Sequence, residues 1–341
     1  IYKLLNNIYM NDFLKFAKSK GLNTMHVEKT MQVLGKTDIA VLVVDCEVGI
    51  QEFDKSLIEE FKRRKLPHII VYNKSDISPN ATIHSRTDKE IMVSAKTGEG
   101  IDELRELLGK IANQNISNRY ILMDLVKPSD IVILVIPIDE SAPKGRIILP
   151  QQNVLREILD AHATAICVQP EELEAVLKNI KPSLVITDSQ VFEKIKFIVS
   201  QEIPLTSFSI LMARYRGKLN SLINSAKAIS QLKDGSKVLI SEGCTHHRQC
   251  NDIGTVKFPK WLKEYTGKDL KFEFTQGGEF PKDLYQFDLV IHCGGCMINE
   301  AEMKTRINRA EEQNVPIVNY GMAIAYMNGV LDRALEVFKN D

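Results

Sequence analysis

Apolar positions along the chain fall in short continuous runs separated by amphipathic stretches. "DIAVLVVD" (38–45), "PHIIVYN" (67–73) and "KEIMVSA" (89–95) read as buried strands, while "FDKSLIEEFKRRK" and "GIDELRELLGKIANQ" carry helical periodicity. Runs rich in β-branched residues that alternate with amphipathic helices specify a parallel sheet covered on both faces.

The polar stretch "ANQNISNR" (112–119) marks a boundary, and a second α/β series follows it. Its strands are expected at 130–138, 164–168 and 183–188, with helices near 151–161, 170–179 and 190–200. One long helix is expected over 207–232. The turn "KDGS" (233–236) opens a third unit, with strands at 237–243, 270–276, 287–293 and 315–321 and helices near 258–266, 299–313 and 323–338. The predicted fold class is therefore α/β, three successive units with parallel sheets flanked by helices, divided at 1–113, 114–232 and 233–341. No repeat of fixed period is evident.

Composition narrows the class. A chain of 341 residues calls for two or three domains. Its 44 Lys and Arg balance its 44 Asp and Glu, so the chain as a whole is no electrostatic trap for nucleic acid or an anionic membrane. No apolar run approaches the ~18 residues of a bilayer span. The segment "IYKLLNNIYMNDFLKFAKSK" is amphipathic and lacks a signal peptide's apolar core, so a cytoplasmic, reducing compartment is expected. Clustered cysteines there favour metal binding or catalysis over structural disulfides. Of the six cysteines, Cys46 and Cys167 lie in or beside strand-like runs and are expected as small buried hydrophobes, whereas Cys244, Cys250, Cys293 and Cys296 crowd the last unit.

The first unit carries half of a guanine-nucleotide site. Asn73-Lys74-Ser75-Asp76 and Ser94-Ala95-Lys96 each end a predicted strand, at the edge where doubly wound sheets bind ligands. A carboxylate at Asp76 can accept from the N1–H and exocyclic amine of guanine, which adenine does not offer. Asn73 can bond the base edge and tie the two loops together, the stem of Lys74 can cover a ring face, and the Ala95 amide can donate to O6. The phosphate half is not in the sequence. "LGKT" (34–37) has Thr30 where a P-loop needs its first glycine and precedes a strand, and an Asp-x-x-Gly motif is missing too. The expectation is a chain lacking those segments, since strands and loops that should precede residue 28 are also absent; GTP hydrolysis by these residues is left open.

In the third unit "SEGCTHHRQCND" and "HCGGC" each follow a strand, so Cys244 can meet Cys293 and Cys296 at the carboxyl edge of one sheet. Gly294 and Gly295 permit a tight turn and leave room for a bulky inorganic group. Three chemistries compete: a redox pair, which explains neither Cys244 nor the histidines; a structural Cys3His zinc site with His246; and an iron–sulfur cluster on three cysteines with one exchangeable iron. Cys250 reads as an ordinary loop cysteine and His247 as a surface group. His246 and His292 are candidate second-shell donors or labile ligands, and Glu242 or Glu300 is an unranked oxygen ligand.

The pair Cys244-Thr245-His246 and His292-Cys293-Gly294-Gly295-Cys296 resembles the signature of the FeFe-hydrogenase maturation GTPase family, HydF. "PLTSFSILMARYRG" and "VPIVNYGMAIAYMNGVLDRALE" also look like family sequence. The resemblance implies a GTPase domain binding GTP or GDP with Mg2+, a dimerisation domain giving a homodimer, and a domain holding a 4Fe–4S cluster on three cysteines. It further implies a scaffold that delivers a transient diiron precursor to apo FeFe-hydrogenase, in cooperation with two radical-SAM maturases. A regulatory GTPase with a zinc domain is the alternative, and neither reading expects nucleic acid or membrane as a partner.

Overall fold

A computed structural model describes residues 30, 33–77, 88–115, 120–138, 147–216, 218–243, 252–296 and 298–338. Strands and helices alternate as the hydrophobic pattern predicts, and every described strand pair is parallel. The architecture is multi-domain α/β, and the chain divides into two compact units, Ile1–Asn118 and Arg119–Asp341. No described helix is long and apolar enough to cross a membrane.

In the first unit, β1 (Ala40–Asp45), β2 (His68–Asn73) and β3 (Glu90–Met92) lie in the order β1-β2-β3. Helix α1 (Glu52–Arg63) buries Leu57 and Phe61 with Ala40 and Leu34. Helix α2 (Ile101–Asn115) turns Leu104, Leu108 and Ile111 toward a separate cluster with Ile69, Val71 and Val93. Strand β1 feeds the first cluster through Ala40 and Leu42, and β2 feeds the second through Ile69 and Val71. Val41 and Val43 on the other face of β1 are exposed, so the buried strand expected over 38–45 is buried on one face only. Asp54 accepts from the Gln51 amide at 2.9 Å to open α1, and Lys62 and Arg63 complement the dipole at its end.

The second unit holds two four-stranded sheets. The first has β4 (Ile131–Val135), β5 (Thr164–Val168), β6 (Leu184–Thr187) and β7 (Leu205–Ser207) in the order β5-β4-β6-β7. The second has β8 (Lys237–Glu242), β9 (Lys271–Gln276), β10 (Leu289–His292) and β11 (Ile317–Asn319) in the order β9-β8-β10-β11. The two sheets share one topology: the first strand is internal, the second flanks it, and the third and fourth follow on the other side. The correspondence extends to sequence, with "SLVIT" (183–187) matching "DLVIH" (288–292) and "PLTSFSILMARYRG" (204–217) matching "PIVNYGMAIAYMNG" (316–329). A search for a fixed period misses this duplication because the connections between strands differ in length.

Each fourth strand runs directly into a capped helix. Ser207 Oγ accepts from the Ile210 amide at 3.3 Å to open a helix at Phe208–Tyr215, and Asn319 Oδ1 accepts from the Met322 amide at 2.7 Å to open one at Tyr320–Met327. The helices following β4 to β6 are α3 (Leu149–Asp160), α4 (Leu173–Leu177) and α5 (Phe192–Ile198), and α6 is Phe208–Tyr215. After them come α7 (Leu219–Ala226), α8 (Phe258–Thr266), α9 (Glu300–Glu312), α10 (Tyr320–Met327) and α11 (Leu331–Leu335). Helices α6 and α10 pack against each other. A Cβ at Gly321 would stand 2.2 Å from Ser209 Cβ, so glycine is what lets them approach. One apolar core runs through both sheets.

Two expectations need correction. The single helix over 207–232 is instead β7's last residue, α6, α7 and a 3-10 turn at Lys227–Gln231. A straight helix of that length would carry the chain about 40 Å away, whereas the break after Tyr215 folds α7 back onto β11. Nor are Cys46 and Cys167 buried: Cys46 is half-buried in the turn after β1, and Cys167 is exposed on β5, an edge strand.

Candidate functional site

Two strand-end clusters match the motifs singled out in the sequence, one in each unit. In the first unit, β1 and β2 are in register, so Asp45 and Asn73 end side by side. Lys74 departs from β2 at φ 68° and sends its ammonium to Asp45 Oδ2 at 2.6 Å. That contact holds the Asp45 carboxyl below, and the Lys74 ammonium above, the ordinary value of each. Asn73 Oδ1 accepts from the Ala95 amide at 3.0 Å, which ties the two motif loops together. The amide expected to meet a base oxygen is therefore held by Asn73 in this structure. Ser94, fully buried, donates to Asp76 Oδ1 at 2.7 Å and accepts from the Thr97 amide at 3.1 Å. Lys96 stands 3.8 Å from Asp76 Oδ2. Gly100 closes the loop at φ 76°, where a Cβ would lie 2.3 Å from Met92 O. Asp45 and Gly100 were not picked out by motif; a carboxylate ending one strand beside an Asn-Lys ending the next was the available signal.

In the second unit, β8 and β10 are adjacent and in register, so their carboxyl ends open at one place. The Cys293 amide donates to Ser241 O at 2.9 Å, and the Cys293 sulfur accepts from the Gly243 amide at 3.1 Å and from the Gly295 amide at 3.3 Å. Cys293 is half-buried and Cys296 exposed. Gly295 adopts φ 64° with its Cα facing Arg216 Nη1 and Ile298, while a Cβ at Gly294 would meet nothing within 4 Å. Cys244, His246, His247 and Cys250 lie outside the described residues. Among the described residues no three His, Cys, Asp or Glu side chains form a metal-holding group.

His292 is wholly buried. Its Nδ1 lies 2.8 Å from Cys293 O and its Nε2 2.9 Å from Arg306 Nη1. A carbonyl on one side and a guanidinium on the other assign the neutral Nδ1–H tautomer. Burial pushes its pKa down to about 3, with Arg306 and Arg216 adding to the fall. Both ring nitrogens are thus engaged. Arg306 also donates to Gly277 O at 2.5 Å and pairs with Glu302 one turn earlier on α9. Glu242, the last residue of β8, is buried and accepts from Tyr320 Oη at 3.2 Å. Burial and that carboxylate push the Tyr320 phenol well above its usual range. Glu300 heads α9 and pairs with Lys304.

A residue from the other sheet completes this corner. Arg216, the C-cap of α6, is buried and donates to both carbonyls of the diglycine turn, Gly294 O and, at 2.8 Å, Gly295 O. No motif pointed to Arg216 or Arg306, because their partners lie in segments far away in sequence.

Comparison with known families agrees with these sheet boundaries. A family model described as "Hydrogen maturase F dimerization domain" matches residues 121–217, and one described as "Hydrogen maturase F tetramerization domain" matches 220–337. The chain belongs to the hydrogen maturase F family. The two models meet just beyond Arg216, so this arginine belongs to the dimerization match and its glycine partners to the tetramerization match. Among curated relatives, GTPase Der of Sulfurihydrogenibium sp. is 33% identical over 107 residues, 28% of this chain and 24% of its own length. Translation initiation factor IF-2 of Psychrobacter sp. is 33% identical over 125 residues, 32% of this chain and 13% of its own. The tRNA modification GTPase MnmE of Laribacter hongkongensis is 32% identical over 84 residues, 24% of this chain and 18% of its own. This hydrogen maturase F chain thus spans a quarter or less of the length of these relatives, and it is distantly related to the GTPase superfamily.

Proposed function

We propose that this chain is a cluster-bearing carrier in FeFe-hydrogenase maturation. Cys244, Cys293 and Cys296 would hold a 4Fe–4S cluster. The observation that carries the reading is the Cys293 sulfur, which accepts two backbone amides, one of them from Gly243, the residue before Cys244. Amide donors to sulfur suit a metal-bound thiolate, and the open space beside Gly294 suits a bulky inorganic group. When bound, the cluster supplies an iron corner that three protein ligands leave exchangeable. The chain's own residues shape the turn: His292 and Arg306 brace the end of β10, and Arg216 holds the glycine carbonyls.

The cargo is the diiron precursor, received with the help of two radical-SAM maturases and passed to apo FeFe-hydrogenase. Residues 1–113 bind guanine nucleotide, with Mg2+ where the phosphate-binding motifs are present. Asp76 reads the base, Asn73 and Ala95 join the loops, Lys74 covers the ring, and Ser94 and Lys96 orient the carboxylate. The fixed Asn73–Ala95 and Ser94–Asp76 contacts support this. GTP binding, with hydrolysis where the phosphate-binding motifs are present, acts as a regulatory activity. Residues 114–232 form a homodimer, residues 233–341 carry the cluster, and the protein works in the cytoplasm.

Anaerobic reconstitution followed by metal analysis and electron paramagnetic resonance tests the reading. A 4Fe–4S signal that disappears in C244A, C293A or C296A is expected. A colourless protein holding one tight zinc per chain would overturn it in favour of a structural zinc domain.

A further inference from the structure

The duplicated topology gives an internal control for Arg216. In each half, the helix after the fourth strand packs on the loop that follows the third strand of the opposite half, α6 through its C-terminal end and α10 through its first turn at Gly321. In the half with β8 to β11, that loop is Cys293-Gly294-Gly295-Cys296, and Arg216 of α6 caps it through two carbonyls. In the half with β4 to β7, the equivalent loop is Asp188-Ser189-Gln190-Val191. The residue matching Arg216 there is Asn328, the C-cap of α10. Its carbonyl accepts from Lys196 of α5 at 2.9 Å, outside that loop. The loop Asp188-Ser189-Gln190 is tied by its own Asp188, which accepts from the Gln190 amide at 3.0 Å, and by Lys257, which donates to Gln190 Oε1 at 3.2 Å. The fold therefore closes this position without an arginine. The arginine stands only where the facing loop carries two thiols.

The chemistry of that placement is specific. A planar guanidinium spans two adjacent carbonyls, which a lysine ammonium cannot do in the same way. Gly295 accommodates it: a Cβ there would fall 3.0 Å from Arg216 Nη1. The cation is buried, and the groups that favour its charge are led by Cys293 and Cys296, then Glu300. A buried positive charge behind two metal-bound thiolates offsets their charge and favours the reduced state of a cluster.

We propose that Arg216 is a positioning residue of the cluster site, contributed by the opposite sheet, which both fixes the Gly294–Gly295 turn and raises the potential of the group bound there. The proposal rests on the carrier reading above. It makes grip on the cluster depend on the packing of α6 against the diglycine turn, and so links the part of the chain matched as a dimerization domain to the metal corner.

The test uses the full chain, reconstituted anaerobically, with two readouts: the midpoint potential followed by electron paramagnetic resonance, and the rate of iron loss to a chelator. R216Q should lower the midpoint and speed iron loss about fivefold, the equivalent of roughly one hydrogen bond. R216K keeps the charge but not the fork, so its midpoint should stay near wild type while iron loss still accelerates. R214Q breaks the Arg214–Asp124 ion pair on the same helix and should change neither readout. Wild-type midpoint and wild-type iron loss in both Arg216 variants would overturn the proposal. If R216Q fails to fold, R216K decides, and an unaltered rate in it overturns the holding role. A wild-type chain that takes up no iron overturns the carrier reading itself; normal uptake with indifferent Arg216 variants overturns this proposal alone.

Discussion

The amide of Gly243 donates to the sulfur of Cys293 across 3.1 Å. Strands β8 and β10 are neighbours in register, so Gly243 leaves the sheet beside the first cysteine of the Cys-x-x-Cys turn. Strand order alone therefore brings Gly243, at the end of β8, to the first cysteine of that turn.

The two glycines of that turn should respond differently to a methyl group. At Gly294 a Cβ meets nothing, so G294A should leave the stability of the metal-free protein within about 0.5 kcal/mol of wild type. At Gly295 the left-handed φ of 64° and the nearby Arg216 and Ile298 make alanine cost about 1–2 kcal/mol. Urea unfolding of the metal-free variants separates them, and equal midpoints would show the turn geometry to be wrong.

Arg306 should be among the most sensitive positions in the second unit. It is buried and serves Gly277 O, His292 Nε2 and Glu302 together. R306L removes the donor to Gly277 O and His292 Nε2 and the charge paired with the largely buried Glu302, and a loss of about 3–5 kcal/mol is expected in denaturant titration. A loss below 1 kcal/mol would mean that this network does not brace the strand end.

Guanine recognition is testable without hydrolysis. D76A removes the only carboxylate placed to meet the base edge among the described motif residues, and GDP affinity should fall about a hundredfold. S94A frees Asp76 from its 2.7 Å bond and should weaken GDP about tenfold. Unchanged GDP binding in D76A, measured by calorimetry, would remove nucleotide recognition from the first unit.

Acid sensitivity of the first unit should involve Glu60. Burial raises its pKa, but Arg63 and Arg64 outweigh that and hold the carboxyl below its ordinary value. A carboxylate lowered on folding contributes stability that is complete above its unfolded value near 4.5 and is lost as pH falls through the folded value. E60Q should therefore be about 1 kcal/mol less stable at neutral pH and show a flatter decline below pH ~4.5. A variant whose decline parallels wild type would exclude this residue as the cause.

Much of this architecture was legible locally. Runs such as "HIIV" and "LVIH" are buried as their apolar character predicts, whereas "VLVVD" leaves Val41 and Val43 exposed; the regular alternation of such runs with amphipathic helices dictates parallel sheets. The Asn73–Asp76 and Ser94–Lys96 motifs were readable for the same reason: each follows a buried strand, and the carboxyl edge of such a sheet is a fixed place. The strand β7 and the break after Tyr215 were not legible. "LTS" is too short to carry a period, and helical propensity across 207–232 is overridden by packing of α7 on β11.

The sequence by itself determined the kind of layers, the strand ends that carry chemistry, and the residue types able to grip a base or a metal, because burial periodicity and backbone chemistry are local properties. Tertiary structure decided which distant groups share a corner. The doubling of one strand order, the neutral His292 braced by Arg306, and the reach of Arg216 to Gly294 and Gly295 depend on contacts between segments whose spacing no periodicity encodes. A guanidinium finds its carbonyls through the packing of two sheets, and that packing exists only once both cores have formed.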